Sequence, residues 1–213
     1  SANVIDLMQD VGIDETLSAE EALARADALR AVIRTAAGEE PLVTVEQLTD
    51  LGVAGVNNAS LGLAHRLITR TADDGSEVDS IAKIDALLSE ALVALNTIAT
   101  AAENNSAAAE ISAAEFDALG LSGFSTALLA AYNSALDTVA VDAAQVGTID
   151  GLESLLATYD QLISFVLGEA DEGYAPSVEE YVELGIVGSD RADLLPILHH
   201  AISGEKQTSV MNI

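Results

Sequence analysis

The sequence contains no cysteine and no tryptophan, and only three prolines occur among its 213 residues. Without cysteine, the chain forms no disulfide bonds and offers neither thiolate metal ligands nor a cysteine nucleophile. Aromatic residues are also few, so the apolar half of the composition consists mainly of alanine and aliphatic residues. Alanine is the best helix former and lets helices approach closely, so this composition predicts an all-α fold with thin cores.

Basic residues are scarce as well. Eight Lys and Arg stand against 35 Asp and Glu, which gives a formal net charge of −27. Nucleic acids and anionic membrane surfaces bind proteins through basic patches, so we expect neither as a partner. No uninterrupted apolar run approaches the length of a membrane span, and we expect no membrane insertion. Salt or divalent cations would screen such a surface, which favours an extracellular or cell-surface location. The alternative is an acidic, soluble cytosolic protein.

One pattern of residues recurs three times, and its starting points lie 68 and 65 residues apart. Each copy begins with a Ser or Thr followed three residues later by Gln or Glu, which predicts a capping box at the start of a short helix. A leucine and a glycine then predict a left-handed turn that ends this helix. The members are Thr44, Gln47, Leu51, Gly52 and Gly55; Ser112, Glu115, Leu119, Gly120 and Gly123; and Ser177, Glu180, Leu184, Gly185 and Gly188.

A longer helical pattern precedes each short helix, and a medium helix follows it. Leu23, Leu88 and Leu156 occupy the same place in the three long patterns, which predicts that they are core residues. The expected fold is all-α, with three tandem three-helix repeats packed into a rod-like array. The spacing leaves open whether a long helix packs on the short helix before it, on the one after it, or on both. The predicted parts are an N-terminal cap or partial repeat at 1–17, repeats at 18–78, 79–147 and 148–204, and a C-terminal tail at 205–213.

Three segments of the first half of the chain carry a resemblance to a known family. They are the run from Thr44 through Gly52-Val53, the segment Leu61 to Ile68, and the helix Ile81 to Leu95. This succession is similar to the albumin-binding GA modules and to GA-like repeats of bacterial surface proteins. The resemblance implies three-helix modules that bind a host protein, or that extend or assemble a cell-surface structure.

Candidate chemistry in the sequence is sparse. His65, His199 and His200 belong to no recognisable catalytic set, and we expect them to be solvated or partly packed. Neither a nucleophile elbow nor a phosphate-binding loop occurs, so we expect no enzymatic activity and no cofactor. Weak calcium binding is an expectation for one acidic turn, because it gathers carboxylates around a glycine without the order of an EF-hand. Its residues are Asp73, Asp74, Glu77 and Asp79.

Three functional interpretations follow. The leading one is a structural or adhesive module of a bacterial extracellular surface or matrix protein, extending to a self-assembling filament subunit. Its partner would be protein, either a second copy or neighbouring repeats. The alternative is a module that binds a host protein of the albumin type, or a peptide, and a small-molecule-binding bundle explains least. The predicted partner surface consists of Val56, Phe124, Leu129, Val210 and Ile213.

Overall fold

The computed structural model describes residues 17–121, 124, 126–171, 173–184, 186 and 191–202. Within these ranges the regular structure is helical and no strand occurs, so the predicted all-α class is confirmed. The chain divides into two compact units, Ser1–Ala94 and Leu95–Ile213. Several predicted features lie outside the described residues: most of the N-terminal cap, the C-terminal tail with Val210 and Ile213, and the glycines Gly123, Gly185 and Gly188.

The described part of the first unit, from residue 17 onward, contains three helices and the beginning of a fourth. These are α1 (Ala19–Ala36), α2 (Val45–Asp50), α3 (Leu61–Thr69) and α4 (Ile81–Asn104), and the boundary between the units falls inside α4. Helix α1 packs on both α2 and α3. Their contact is apolar and dry, because Val32, Leu48, Leu63 and Ile68 are all fully buried.

The second unit continues from α4 through seven further helices of the described chain. They are α5 (Ala107–Glu110), α6 (Ala113–Ala118), α7 (Leu129–Leu136), α8 (Ala143–Val146), α9 (Ile149–Leu167), α10 (Val178–Glu183) and α11 (Leu195–Ile202). Short 3₁₀ turns precede α7 and α11. Helix α9 is the centre of this unit, since it packs on both α7 and α8 and buries one whole face, including Leu152, Leu155 and Tyr159.

The three short helices α2, α6 and α10 share one local structure. Each has six residues, and each starts with the predicted capping box. In the first, the amide of Gln47 donates to Thr44 Oγ1 and the amide of Thr44 donates to Gln47 Oε1. The corresponding bonds join Ser112 to Glu115 and Ser177 to Glu180. The predicted motif is therefore confirmed at the level of the short helix, whereas the tandem three-helix repeat and its boundaries stay predictions.

The apolar positions of the short helices are equally alike. The fourth residue is Leu48, Phe116 or Tyr181, and all three are fully buried. The leucine that closes each helix, Leu51, Leu119 or Leu184, is buried as well. Gly52 and Gly120 then adopt positive φ angles of 84° and 61°, as the predicted left-handed turn requires. The identity of the central residue changes between copies while its place in the core does not.

Leu23 is not a core residue, although its repeat position predicts one. Its side chain is 67% exposed, whereas its counterpart Leu88 is fully buried and Leu156 nearly so. The reason is length, because α1 extends for about 27 Å while α3 extends for only about 14 Å. The buried residues of α1 begin at Ala28, and the residues before it are exposed or half-buried.

Helix α4 is long and mainly apolar, although it includes Lys83, Asp85, Glu90 and Glu103. By length and composition alone it is able to cross a membrane, and half of its most apolar window is buried inside the protein. The buried residues include Ile84 and Leu88 in the first unit and Ile98 and Ala101 in the second. The apolar residues of α4 therefore contribute to the cores of both units.

Replacing Gly52 with alanine should destabilise the first unit. The added Cβ would meet no atom within 4 Å, so the cost of about 1 kcal/mol arises only from the positive φ. Gly62 is an exposed residue inside α3, and there the same replacement should stabilise by roughly 0.5–1 kcal/mol. Urea unfolding of both variants measures the change in the free energy of unfolding, which should be negative at Gly52 and positive at Gly62. Equal changes at the two positions would contradict the left-handed turn at Gly52.

The capping box of α6 should make the second unit sensitive to acid. Hydrogen bonds from the Ser112 hydroxyl and amide lower the pKa of Glu115 below its ordinary value of 4.5. Its contribution to stability is therefore present above pH 4.5 and is lost as the pH falls through the lowered pKa. Glu115→Gln, which copies Gln47 of the first box, should keep the cap and remove this dependence. Urea unfolding at several pH values tests this, and a constant difference between the two proteins would refute it.

Candidate functional site

A polar contact between the medium and short helices occurs in all three copies. His65 Nε2 donates to the carbonyl of Val43 at 2.6 Å, and His199 Nε2 donates to that of Pro176 at 2.9 Å. In the middle copy Asn133 Nδ2 donates to the carbonyl of Ile111 at 2.8 Å. The donor is the fifth residue of its helix each time, and the acceptor immediately precedes the capping residue of the short helix. We call this contact the clamp.

The clamp fixes a stretch of chain that makes no regular structure of its own. In the first unit Thr35 Oγ1 accepts the amide of Val43 at 2.8 Å, while the carbonyl of Val43 accepts His65. The backbone amide and carbonyl of Val43, which is 1% exposed, are thus both hydrogen-bonded to side chains, one from α1 and one from α3. In the third copy Pro176 occupies this position, and it has no amide to satisfy.

His65→Ala should destabilise the first unit by about 1–3 kcal/mol, because it leaves the buried carbonyl of Val43 without its donor. His65→Asn should cost less, since Asn133 shows that an amide N–H reaches the same acceptor in the middle copy. Thermal and urea unfolding of the two variants give the comparison. Identical losses would mean that the ring contributes by packing and that the N–H has no role.

A cleft opens in the second unit between α7 and α9. It has a volume of about 260 Å³, and apolar and aromatic side chains form most of its wall. Tyr132 of α7 donates its hydroxyl proton to Asp160 Oδ1 of α9 at 2.8 Å, so the two helices meet across it. Its lining residues are Leu121, Phe124, Tyr132, Glu153, Leu156, Ala157 and Asp160.

Three aromatic rings pack together at the wall of the cleft. The ring of Phe124 stacks on that of Phe116 with centroids 4.6 Å apart, and Tyr132 lies 5.6 Å from Phe124. Phe116 is the buried centre of the short helix α6, so the motif that repeats along the chain also supports this wall. Aromatic pairs at such distances stabilise a fold by about 0.5–1.5 kcal/mol beyond the area that they bury.

Asp160 gives the cleft its electrostatic character. Burial raises the pKa of this carboxyl, and the hydrogen bond from Tyr132 acts in the opposite direction. Glu153 lies two turns earlier on the same face of α9 and also lines the cleft. Asp160 borders a second cleft of about 250 Å³ with Gln161, Ser164 and Tyr174. The arrangement suits a cation carried on an apolar or aromatic body.

The predicted partner residues fall in different parts of the chain. Val56 follows the glycine turn of the first short helix and is half-buried. Phe124 and Leu129 lie in the second unit, where Phe124 lines the cleft and Leu129 begins α7. Sequence reasoning missed Tyr132 and Asp160, because their contact joins helices that are 28 residues apart along the chain.

Three of the four carboxylates in the acidic turn predicted to bind calcium are engaged within the turn and its flanking residues. Asp74 accepts the amide of Ser76, Glu77 accepts that of Ala72, and Asp79 pairs with Lys83 at 2.7 Å. In the described part of the chain, no three His, Asp or Glu side chains lie close enough together to hold a metal ion. Weak calcium binding by this turn stays a prediction.

No protein-family model, no curated protein and no solved structure matches the chain. The likeness to GA modules therefore rests on the quoted residues alone and stays a prediction.

Proposed function

We propose that this chain is a non-enzymatic structural or adhesive module of a bacterial extracellular surface or matrix protein, in which three GA-like repeats pack into a rod-like array. The observation that carries the proposal is that helix α9 contacts two successive copies of the motif. Its Asp160 binds Tyr132 of the second copy, and its Thr158 Oγ1 donates to Glu183 Oε2 of the third copy at 3.3 Å. Such sharing of one helix by successive copies is typical of extended repeat proteins.

Further contacts of α9 support the same interpretation. Phe165 lies 5.3 Å from the ring of the clamp residue His199 and 6.3 Å from that of Tyr174, both of the third copy. The sequence left open whether a long helix serves the preceding copy or the following one, and α9 contacts both. Burial that passes from copy to copy stabilises a chain along its length, which suits a spacer or scaffold.

The surface charge also fits this proposal. A net charge of −27 makes separate molecules of this protein repel one another at low ionic strength. Salt or divalent cations screen this repulsion and allow the molecules to approach closely. A module that stays soluble during export and associates outside the cell would benefit from this property. Self-association as a filament subunit is the strongest form of the proposal.

Light scattering of the purified chain tests whether it associates with itself as a filament subunit. With millimolar calcium the mean mass should increase, and excess chelator should return it to that of the monomer. Sodium chloride at the same ionic strength is the control, because it separates calcium binding from general screening. A monomer under all three conditions would rule out the filament subunit and leave a spacer or binding module.

A second candidate function is a module that binds a host protein or a peptide. The cleft between α7 and α9 favours it, since it combines an aromatic wall with carboxylates and includes Phe124 of the predicted partner surface. The same cleft also serves the first proposal when its occupant is another copy of the chain.

A further inference from the structure

Helix α1 carries an exposed stripe of mixed character. Leu23, Asp27, Arg30 and Arg34 follow one another at spacings of four, three and four residues, which places them on one face of the helix. All four are exposed, with Leu23 at 67% and the Arg30 side chain at 73%. We call this face the α1 stripe.

The α1 stripe is unusual for this chain in two respects. It holds two of the eight basic residues in a protein of net charge −27. Arg30 pairs with Asp27 of the same stripe at 2.7 Å, so Arg34 supplies the net positive charge of this face. It also holds a large apolar side chain, Leu23, which the described helices of its unit leave 67% exposed. Arginine is enriched at protein interfaces relative to the rest of the surface.

The cleft between α7 and α9 has the complementary chemistry. Leu121, Phe124 and Leu156 offer apolar surface for a leucine or for the aliphatic part of an arginine. Asp160 and Glu153 supply the negative charge, and a guanidinium also packs well on aromatic faces. A carboxyl whose pKa is raised by burial is stabilised when a cation approaches it, so Asp160 would favour such an occupant.

We infer that the α1 stripe of one copy of this chain docks in the cleft of a second copy, with an arginine directed at Asp160 and Glu153 and with Leu23 against the apolar wall. This inference rests on the proposed function and names the surfaces through which the module assembles. The two surfaces differ, so every copy that uses one of them keeps the other available. Contacts of this heterologous type produce open chains of subunits when the rotation between copies does not close a ring.

The contact implies an optimum of salt concentration. At low ionic strength the repulsion between two chains of charge −27 opposes any approach. At about 0.15 M salt the screening length is roughly 8 Å, so distant repulsion is weakened while the close pairs at Asp160 persist. At about 1 M salt the length is roughly 3 Å and the exposed pairs are weakened too. Assembly should therefore increase and then decrease as salt is added.

Two double variants test the contact. Arg30→Gln with Arg34→Gln neutralises the stripe, and Asp160→Asn with Glu153→Gln neutralises the cleft while keeping an acceptor for the Tyr132 hydroxyl. A matched control, Glu90→Gln with Glu179→Gln, removes two exposed carboxylates outside the cleft. Circular dichroism and thermal unfolding establish that each variant is folded. Sedimentation velocity at several salt concentrations then gives the mass of each.

The wild type and the control should form large assemblies near the salt optimum, and each double variant alone should remain a monomer. An equimolar mixture of the two variants should form complexes of two chains and no larger ones. The stripe variant keeps an intact cleft and the cleft variant keeps an intact stripe, so each pair of chains makes a single contact. If folded variants assemble like the wild type, the contact is wrong while self-assembly stands. A mixture that stays monomeric, or that grows beyond two chains, would equally overturn it.

A monomeric wild type at every salt concentration would also overturn this inference, but it would leave the spacer form of the proposed function intact. In that case nuclear magnetic resonance titration with acetyl-arginine amide, compared with its neutral analogue acetyl-citrulline amide, identifies the occupant of the cleft. Shifts at cleft residues with the arginine compound alone would assign the cleft to a basic segment of another protein in place of a second copy.

Discussion

One hydrogen bond connects the medium helix to the chain in front of the short helix in each copy, and the rest of the local structure depends on it. The donors are His65, Asn133 and His199. Because the acceptor carbonyl precedes the capping residue, the clamp fixes the direction in which the chain enters the short helix. The capping box then begins that helix, and its buried fourth residue joins the core. The medium helix, the cap and the core are thus joined locally, which matters because short helices are marginal without tertiary packing.

The elements that sequence predicts well are those whose determinants lie close together along the chain. The boxes that begin with Thr44, Ser112 and Ser177 need only residues three apart, so spacing was sufficient to place the short helices. Leu23 shows the limit of the same reasoning, since a helical stripe is buried only as far as its neighbours extend. The exposure of Leu23 depends on the lengths of α2 and α3 and cannot be read from α1 itself.

The candidate site was harder to predict, for a related reason. Tyr132 and Asp160 meet only because α9 packs on α7, and no local pattern marks either residue. The clamp was missed because its donors are chemically different side chains. A second long-range contact is similar, because the Asp137 carboxylate after α7 accepts the amides of Ala107 and Ala108 and so caps α5. Contacts of this kind depend on tertiary packing, which single-sequence reasoning does not reach.

The clamp also bears on how proteins of this type diverge. From the first glycine of the motif to the clamp residue there are 13 residues in the first two copies and 14 in the third, yet the donor is always the fifth residue of its helix. A fixed-period comparison of the sequence with itself therefore falls out of register by one residue in the last medium helix. A search profile that allows one insertion after the glycine, and accepts His or Asn as the donor, would keep all three copies aligned. Relatives whose side chains have drifted further should become detectable by that geometry after their sequence identity has been lost.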